Sequence, residues 1–304
     1  MTKFLISIIG PTAIGKTALS IKLAQHFSTE IVSADSRQFF KEMNIGTAVP
    51  DEGELNAATH HFIQHKSVKE DYSVGDFEKD AIATIKDIHS KHDVAIMVGG
   101  SGLYVKAVTK GLDDFPEVDS SIREELNRIN EKDGLKPLQK QLKILDPTAY
   151  NTIAIDNPQR LTRALEICIG TNKPYSSFLT NPEKTRDFET MSIGLIADRP
   201  VIYDRINQRV DIMVANGLID EVKTLVEYKH LNALNTVGYK EIFKYLEGEW
   251  TLDFAISELK KNTRRFAKRQ LTWFRKDNQT KWFDYETNTE DIIKHVEDQI
   301  KNPT

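Results

Sequence analysis

The sequence predicts an α/β fold, a parallel sheet with helices on both faces and a mostly helical insertion. Short, wholly apolar runs alternate with segments of helical periodicity, as in a sheet buried on both sides. The first run, "FLISII" (4–9), leads straight into the glycine loop "GPTAIGKT" (10–17). From about residue 112 to 190 no convincing strand occurs, although helical periodicity persists.

The elements follow in order. Residues 4–9 read as a buried core strand, and 15–27 as the helix behind the loop. "EIVSA" (30–34) reads as a second strand, 77–92 as a helix, and "VAIMVGG" (94–100) as a third strand. Residues 101–111 form a short helix, and "SIGLIA" (192–197) a fourth strand. After residue 200 the pattern is nearly all helical until "KWFDY" (281–285), a last strand. The insertion carries helices at "SSIREELNRINEKDG" and "NPQRLTRALEICIG". The second has Asn157 as N-cap, Pro158 at its first position and Gly170 closing it. The expected organisation is a core of 1–111 and 191–304 with an insertion domain at 112–190.

A chain of 304 residues fits about two domains. Its 39% apolar and 28% charged residues are ordinary for a globular protein. No apolar run approaches the roughly 20 residues that span a bilayer, and the N-terminal run reads as strand, not signal peptide. Cys168, the single cysteine, excludes an internal disulfide and a Cys-rich zinc site, and its setting reads as buried. These features favour the cytoplasm. The net charge of −4 hides an asymmetry. "KKNTRRFAKRQLTWFRK" (260–276) carries Lys260, Lys261, Arg264, Arg265, Lys268, Arg269, Arg275 and Lys276 and no acid, which leaves −12 elsewhere. Such a block points to a polyanion partner, with Phe266, Trp273 and Phe274 expected to pack the helix.

Gly10, Gly15, Lys16 and Thr17 match the phosphate-loop spacing. The glycines let backbone N–H groups turn inward, the helix N-terminus adds partial positive charge, and Lys16 adds a full one. Thr17 is placed to ligate Mg²⁺. The expected phosphate cradle is therefore Gly10, Pro11, Thr12, Ala13, Ile14, Gly15, Lys16 and Thr17, in a P-loop NTPase-like sheet. ATPases of this kind hold Mg²⁺ with an acid closing a later strand. Here glycines follow "VAIMV", and Asp198 opens a helix. The available acid is Asp35, at the carboxyl edge of the sheet where such folds bind ligands. It reads as a general base, a helix cap or a carboxylate near the metal.

"SADSRQFFKEMNIGTAVP", "HHFI", "YSVGDF", "VGGSGLY", "NPQRLTRALE", "NTVGYKE" and "TRRFAKRQLTWFR" then occur in the order seen in tRNA dimethylallyltransferases, which the chain resembles from about residue 5 to 284. The resemblance implies transfer of a dimethylallyl group from dimethylallyl diphosphate to the exocyclic amine of adenosine 37, beside the tRNA anticodon. It also implies Mg²⁺ as cofactor and a monomer. Asp35 becomes the general base, and Lys16, Thr17 and Arg209 the groups that serve the leaving diphosphate. Arg205 lies four residues before Arg209 on one helical face, and the alternative for both is an ion pair with Asp204 or Asp211. The resemblance assigns RNA contact to Asp35, Ser36, Arg37, Gln38, Ser101 and Arg123. It adds Gln159, Arg160, Leu161, Thr162 and Arg163. The basic helix contributes Arg264, Arg265, Lys268, Arg269 and Arg275. An ion pair, such as Arg163 with Glu166, is the competing reading for the insertion arginines. Phe40 and Ser101 stand where many relatives have Tyr and Thr.

Two rival functions use the same loop, an adenylate isopentenyltransferase acting on free nucleotide and a small-molecule kinase. The insertion and the basic helix count against the first, the missing strand-end acid against the second. His60, His61 and His65 lack a further ligand at useful spacing, with Phe62 and Ile63 reading as strand.

Overall fold

The computed structural model describes residues 2–180 and 184–302. The chain divides into two compact units, Met1–Thr109 with Thr185–Thr304, and Lys110–Lys184.

The larger unit is built on six strands: β1 (Phe4–Ile9), β2 (Ile31–Ser33), β3 (His60–His61), β4 (Val94–Val98), β5 (Glu189–Ile196) and β6 (Lys281–Asp284). They form one sheet in the order β3-β2-β4-β1-β5-β6, and every pairing is parallel. β1 is central, with Phe4 opposite Val94 on one side and Glu189 on the other. Alternation buries both faces. Leu5, Ile9, Val32 and Met97 enter one core cluster, and Phe4, Ile6, Ile8, Ile31, Ile96 and Val98 the other. Because all strands run the same way, the loops after β1, β2 and β4 emerge at one edge.

Helices α1 (Lys16–His26), α2 (Glu52–Ala57), α3 (Val74–His89) and α4 (Gly102–Lys110) belong to the first half. α3 starts earlier than the apolar period suggests. Ser73 accepts from the Asp76 amide while Asp76 accepts from the Ser73 amide, a capping box that adds a turn. Phe62 and Ile63 are not strand. β3 ends at His61, and Phe62 turns away at φ 64° to pack its ring on Phe77. After β5 come α9 (Arg199–Ala215), α10 (Leu218–Thr224), α11 (Tyr239–Leu246), α12 (Leu252–Phe274) and α13 (Thr289–Lys301).

The smaller unit packs α5 (Ser120–Asp133), α6 (Leu135–Leu145), α7 (Pro147–Thr152) and α8 (Pro158–Thr171) around Leu126, Leu138, Leu142, Leu161, Leu165 and buried Cys168. Asn157 caps α8 by accepting from the Arg160 amide, and Pro158 begins it. Gly170 does not close it. The helix runs to Thr171, and Asn172 takes the left-handed cap. Gly170 is instead a close approach, since a Cβ there would lie 2.5 Å from Val118. No helix among the described residues is long and apolar enough to cross a membrane.

Candidate active site

The phosphate loop, the "DSRQ" segment after β2 and the "GGSG" segment after β4 meet at the carboxyl edge of the sheet. α12 closes over them. Gly100 and Gly102 permit that approach, because a Cβ on either would fall about 2 Å from Gln270 or Trp273. Buried Gln270 is the pivot. Its Oε1 accepts from the Thr12 amide at 2.9 Å, and its Nε2 donates to the Gly100 carbonyl at 2.9 Å. It thus fixes the phosphate loop to the end of β4. Nothing in the sequence reading pointed to Gln270. The signal was available: a glutamine between Ala267 and Phe274, inside the buried stripe of an otherwise charged helix.

Two cavities open here. The smaller, about 70 Å³, is lined by Thr12, Lys16, Thr17, Asp35, Arg209 and His60 among others. The larger, about 560 Å³, runs past Ser36, Arg37, Ser101, Tyr104, residues 235–238 and Trp273. They share Thr12, Asp35, Thr47, Arg209, Phe266 and Gln270. Of these six only Phe266 is apolar, so an apolar fragment at the junction would meet its ring.

Lys16 Nζ donates to the Pro11 carbonyl at 2.7 Å. Burial pulls its pKa down from 10.5 to about 8, with Asp35 opposing and Arg209 adding to the fall. Two opposite consequences follow. Between pH 8 and 10.5 the unfolded chain binds the extra proton, so folding stability rises with pH across that window. A phosphate anion seated on the loop would need the ammonium, so its affinity should fall over the same range. We expect the dissociation constant for inorganic diphosphate to rise about tenfold per pH unit above 8. Titration calorimetry at several pH values checks this, and a flat profile would contradict the assignment.

Arg209 Nη1 donates to Thr12 Oγ1 at 3.2 Å, and Arg205 Nε donates to the Ala13 carbonyl at 2.7 Å. Neither makes the ion pair that the sequence left open; Asp204 accepts from Gln208, and Asp211 pairs with Lys260. Arg209 lines both cavities, whereas Arg205 buttresses the loop from behind.

The "DSRQ" residues divide. Asp35 faces both cavities and accepts from the Arg37 amide at 3.1 Å. Ser36 lines the larger one, its amide donating to Ser101 Oγ at 3.0 Å. The Arg37 guanidinium donates to the Asn232 and Ala233 carbonyls, and Gln38 Nε2 to the Thr47 and Ala48 carbonyls. These two side chains brace walls.

Along α12, Phe266 and Trp273 are each 37% exposed and face the larger cavity, whereas Phe274 is core. Expecting all three to pack the helix was wrong for the first two; they sit one step round from the buried stripe. Lys260 pairs with Asp211 and Lys261 with Glu258, while Arg264 donates to Asn207 and Arg265 to Asn262. Among the described residues Lys268, Arg269, Arg275 and Lys276 have no ion-pair partner, and all four are exposed.

In the smaller unit, Arg123 and Arg163 both donate to Glu166, whose carboxylate they hold well below its usual range against burial. Gln159 and Arg160 are exposed. Leu161 and Thr162 are buried, so their side chains cannot meet RNA; the helical period turns them into the core. His61 bonds Glu30, and His60 Nδ1 lies 2.8 Å from the Ala58 carbonyl. Among the described residues no three His, Cys, Asp or Glu are grouped to hold a metal.

A family model described as IPP transferase matches residues 38–277. The chain is 63% identical to a tRNA dimethylallyltransferase of Christiangramia forsetii, across 99% of each chain. It is 46% identical to tRNA dimethylallyltransferase 1 of Bacteroides thetaiotaomicron, across 96% of this chain and 94% of that one. The structure of a tRNA isopentenylpyrophosphate transferase from Bacillus halodurans matches with a TM-score of 0.71 and 39% identity, across 99% and 96% of the two chains. A eukaryotic dimethylallyltransferase acting on tRNA matches with a TM-score of 0.84 and 26% identity, across 100% and 81%. This chain belongs to the IPP transferase family.

Proposed function

We propose that this enzyme transfers a dimethylallyl group from dimethylallyl diphosphate to N6 of adenosine 37 in the anticodon loop of tRNAs that read codons starting with U. The products are N6-isopentenyladenosine and diphosphate. The observation that carries the reading is the junction. A small cationic cavity at a phosphate loop joins a larger one on the basic face, and Asp35 lies on both.

The chemistry follows. The diphosphate seats on the loop amides, Lys16 and Arg209, with its allylic carbon toward the junction. The adenine leaves its stack and enters by the larger cavity, beside Ser36, Ser101 and Trp273. The C1–O bond breaks, the electron pair leaves with the diphosphate, and N6 bonds to C1. An aromatic amine is a weak nucleophile, so leaving-group stabilisation supplies much of the rate. Asp35 accepts the N6 proton. Mg²⁺ would be held in the small cavity by the Thr17 hydroxyl, in a lining of oxygen donors that also includes Thr12, Ser33, Asp35, Gln38 and Thr47, with substrate phosphate supplying further oxygens. When bound, it neutralises charge building on the leaving diphosphate. The protein acts as a monomer in the cytoplasm. The exposed α12 cations contact the RNA backbone, and Gln159 and Arg160 are the exposed RNA-contact candidates of the smaller unit.

The test is direct. The protein is mixed with Mg²⁺, dimethylallyl diphosphate and a stem-loop bearing A36-A37-A38, and the RNA is weighed. It should gain one C5H8 unit per molecule. Unchanged RNA, with ATP and a small acceptor reacting instead, would establish the kinase reading. Free AMP reacting in place of RNA would establish the adenylate reading.

RNA binding should also depend on salt through the exposed cations. Four phosphate contacts give a slope of about −3 in log K against log salt, and Lys268→Ala or Arg275→Ala should each flatten it by about 1. Filter binding at graded salt measures this. Slopes unchanged in both variants would remove α12 from the RNA surface.

A further inference from the structure

The "NIGTA" and "NTVGYKE" segments meet at one side chain, Glu221 of α10. Its Oε2 accepts from the Asn44 amide at 3.0 Å and the Ile45 amide at 2.6 Å. Its Oε1 accepts from the Gly46 amide at 2.9 Å and the Tyr239 hydroxyl at 2.6 Å. Four donors converge on one carboxylate, three of them consecutive backbone N–H groups. Tyr239 is fully buried, and its ring takes the space that a Cβ on Gly46 would need, 2.7 Å away.

Each segment is a cavity wall. Beyond Gly46 the chain reaches Thr47, which lines both cavities, and the Thr47 and Ala48 carbonyls that hold Gln38. The Gln38 amide in turn donates to the Asp35 carbonyl at 3.1 Å. On the other side, residues 235–238 line the larger cavity, and Gly238 is pinned by its amide donating to Glu241, which also accepts from Asn262 of α12.

We infer that Glu221 is a positioning residue: it locks the 44–48 loop to the 235–239 segment and, through Gln38, fixes Asp35 at the junction. An ionised carboxylate suits the task because it only accepts. Glutamine at this position would turn an N–H₂ toward backbone N–H donors on one side or the other, releasing part of the loop while keeping the side-chain volume.

The inference rests on the proposed prenyl transfer, and two measurements separate the failures. The first is amide hydrogen exchange in Glu221→Gln, which needs no turnover. Exchange at residues 44–46 should quicken clearly relative to wild type, and unchanged exchange overturns the lock whatever the RNA does. The second is kinetic. With the wild type prenylating RNA, Glu221→Gln should lose about tenfold in kcat with little change in KM for dimethylallyl diphosphate. A purely structural role would lower the thermal midpoint and leave the kcat of folded enzyme intact, which would overturn the inference. Combining Glu221→Gln with Gln38→Ala should cost no more than the larger single loss, as expected when both act through one chain of contacts. Additive losses would show that Glu221 does not act through Gln38 and would equally overturn it.

Discussion

Asp35→Asn is expected to cut prenylation by about a thousandfold while leaving RNA affinity within a few-fold of wild type. The substitution keeps size and keeps an oxygen to accept from the Arg37 amide, so the turn after β2 survives. On the proposed mechanism it removes the capacity to take a proton from N6, and with it goes a negative charge that acts on Lys16 and Arg209. The second loss has its own signature. Asp35 holds up the Lys16 pKa against burial, so without it Lys16 gives up its proton at lower pH. The fall in diphosphate affinity should therefore begin below pH 8 in the variant. Single-turnover rates taken well under that point isolate the base, and binding isotherms across it isolate the charge. A variant with full turnover would strip Asp35 of the base role, whereas lost RNA binding with intact chemistry would make it an RNA contact only.

Much of this site was legible because its chemistry is local in sequence. The phosphate loop needs its glycines, Lys16 and Thr17 within one turn, and the strand and helix around it follow from period and burial. Asp35 was legible for a similar reason: it closes a buried strand, and strand ends of a parallel sheet share an edge. The unread parts depend on partners far along the chain. Arg37 resembles an RNA contact until the 232–233 carbonyls are seen to occupy it. Arg123 and Arg163 look alike in sequence to Arg160, yet both are drawn to Glu166, and only the fold shows it. Leu161 and Thr162 fall inside the "NPQRLTRALE" stretch that carries the family resemblance, although their period alone places them in the core. Phe266 and Trp273 stand about a quarter turn from Phe274 about α12, enough to turn two of three aromatics from the core to a cavity wall. Glu221 reads as an ordinary surface acid because its partners are backbone amides, which leave no trace in composition.

Gln270→Leu is expected to lower kcat/KM by about a hundredfold and to destabilise the fold by about 2–4 kcal/mol. Leucine is close in volume, so the buried site stays filled, and the loss comes from polar groups left behind. The Gly100 carbonyl loses its donor, and the Thr12 amide loses its acceptor beside the proposed seat of the diphosphate. Each orphaned buried group costs about 1–3 kcal/mol, and a loop no longer tied to β4 presents its amides less rigidly to developing charge. Gln270→Glu separates the two effects. It keeps an acceptor for Thr12, removes the donor to Gly100 and adds a negative charge at the junction of the cavities. Its turnover should therefore fall chiefly through a raised KM for dimethylallyl diphosphate, partly restored at higher Mg²⁺, whereas the leucine variant should lose kcat and gain nothing from the ion. Thermal unfolding and steady-state kinetics on the pair decide the matter. Wild-type kinetics in both would mean that the bridge seen between Thr12 and Gly100 only closes the core, and that the phosphate loop holds its catalytic shape without it.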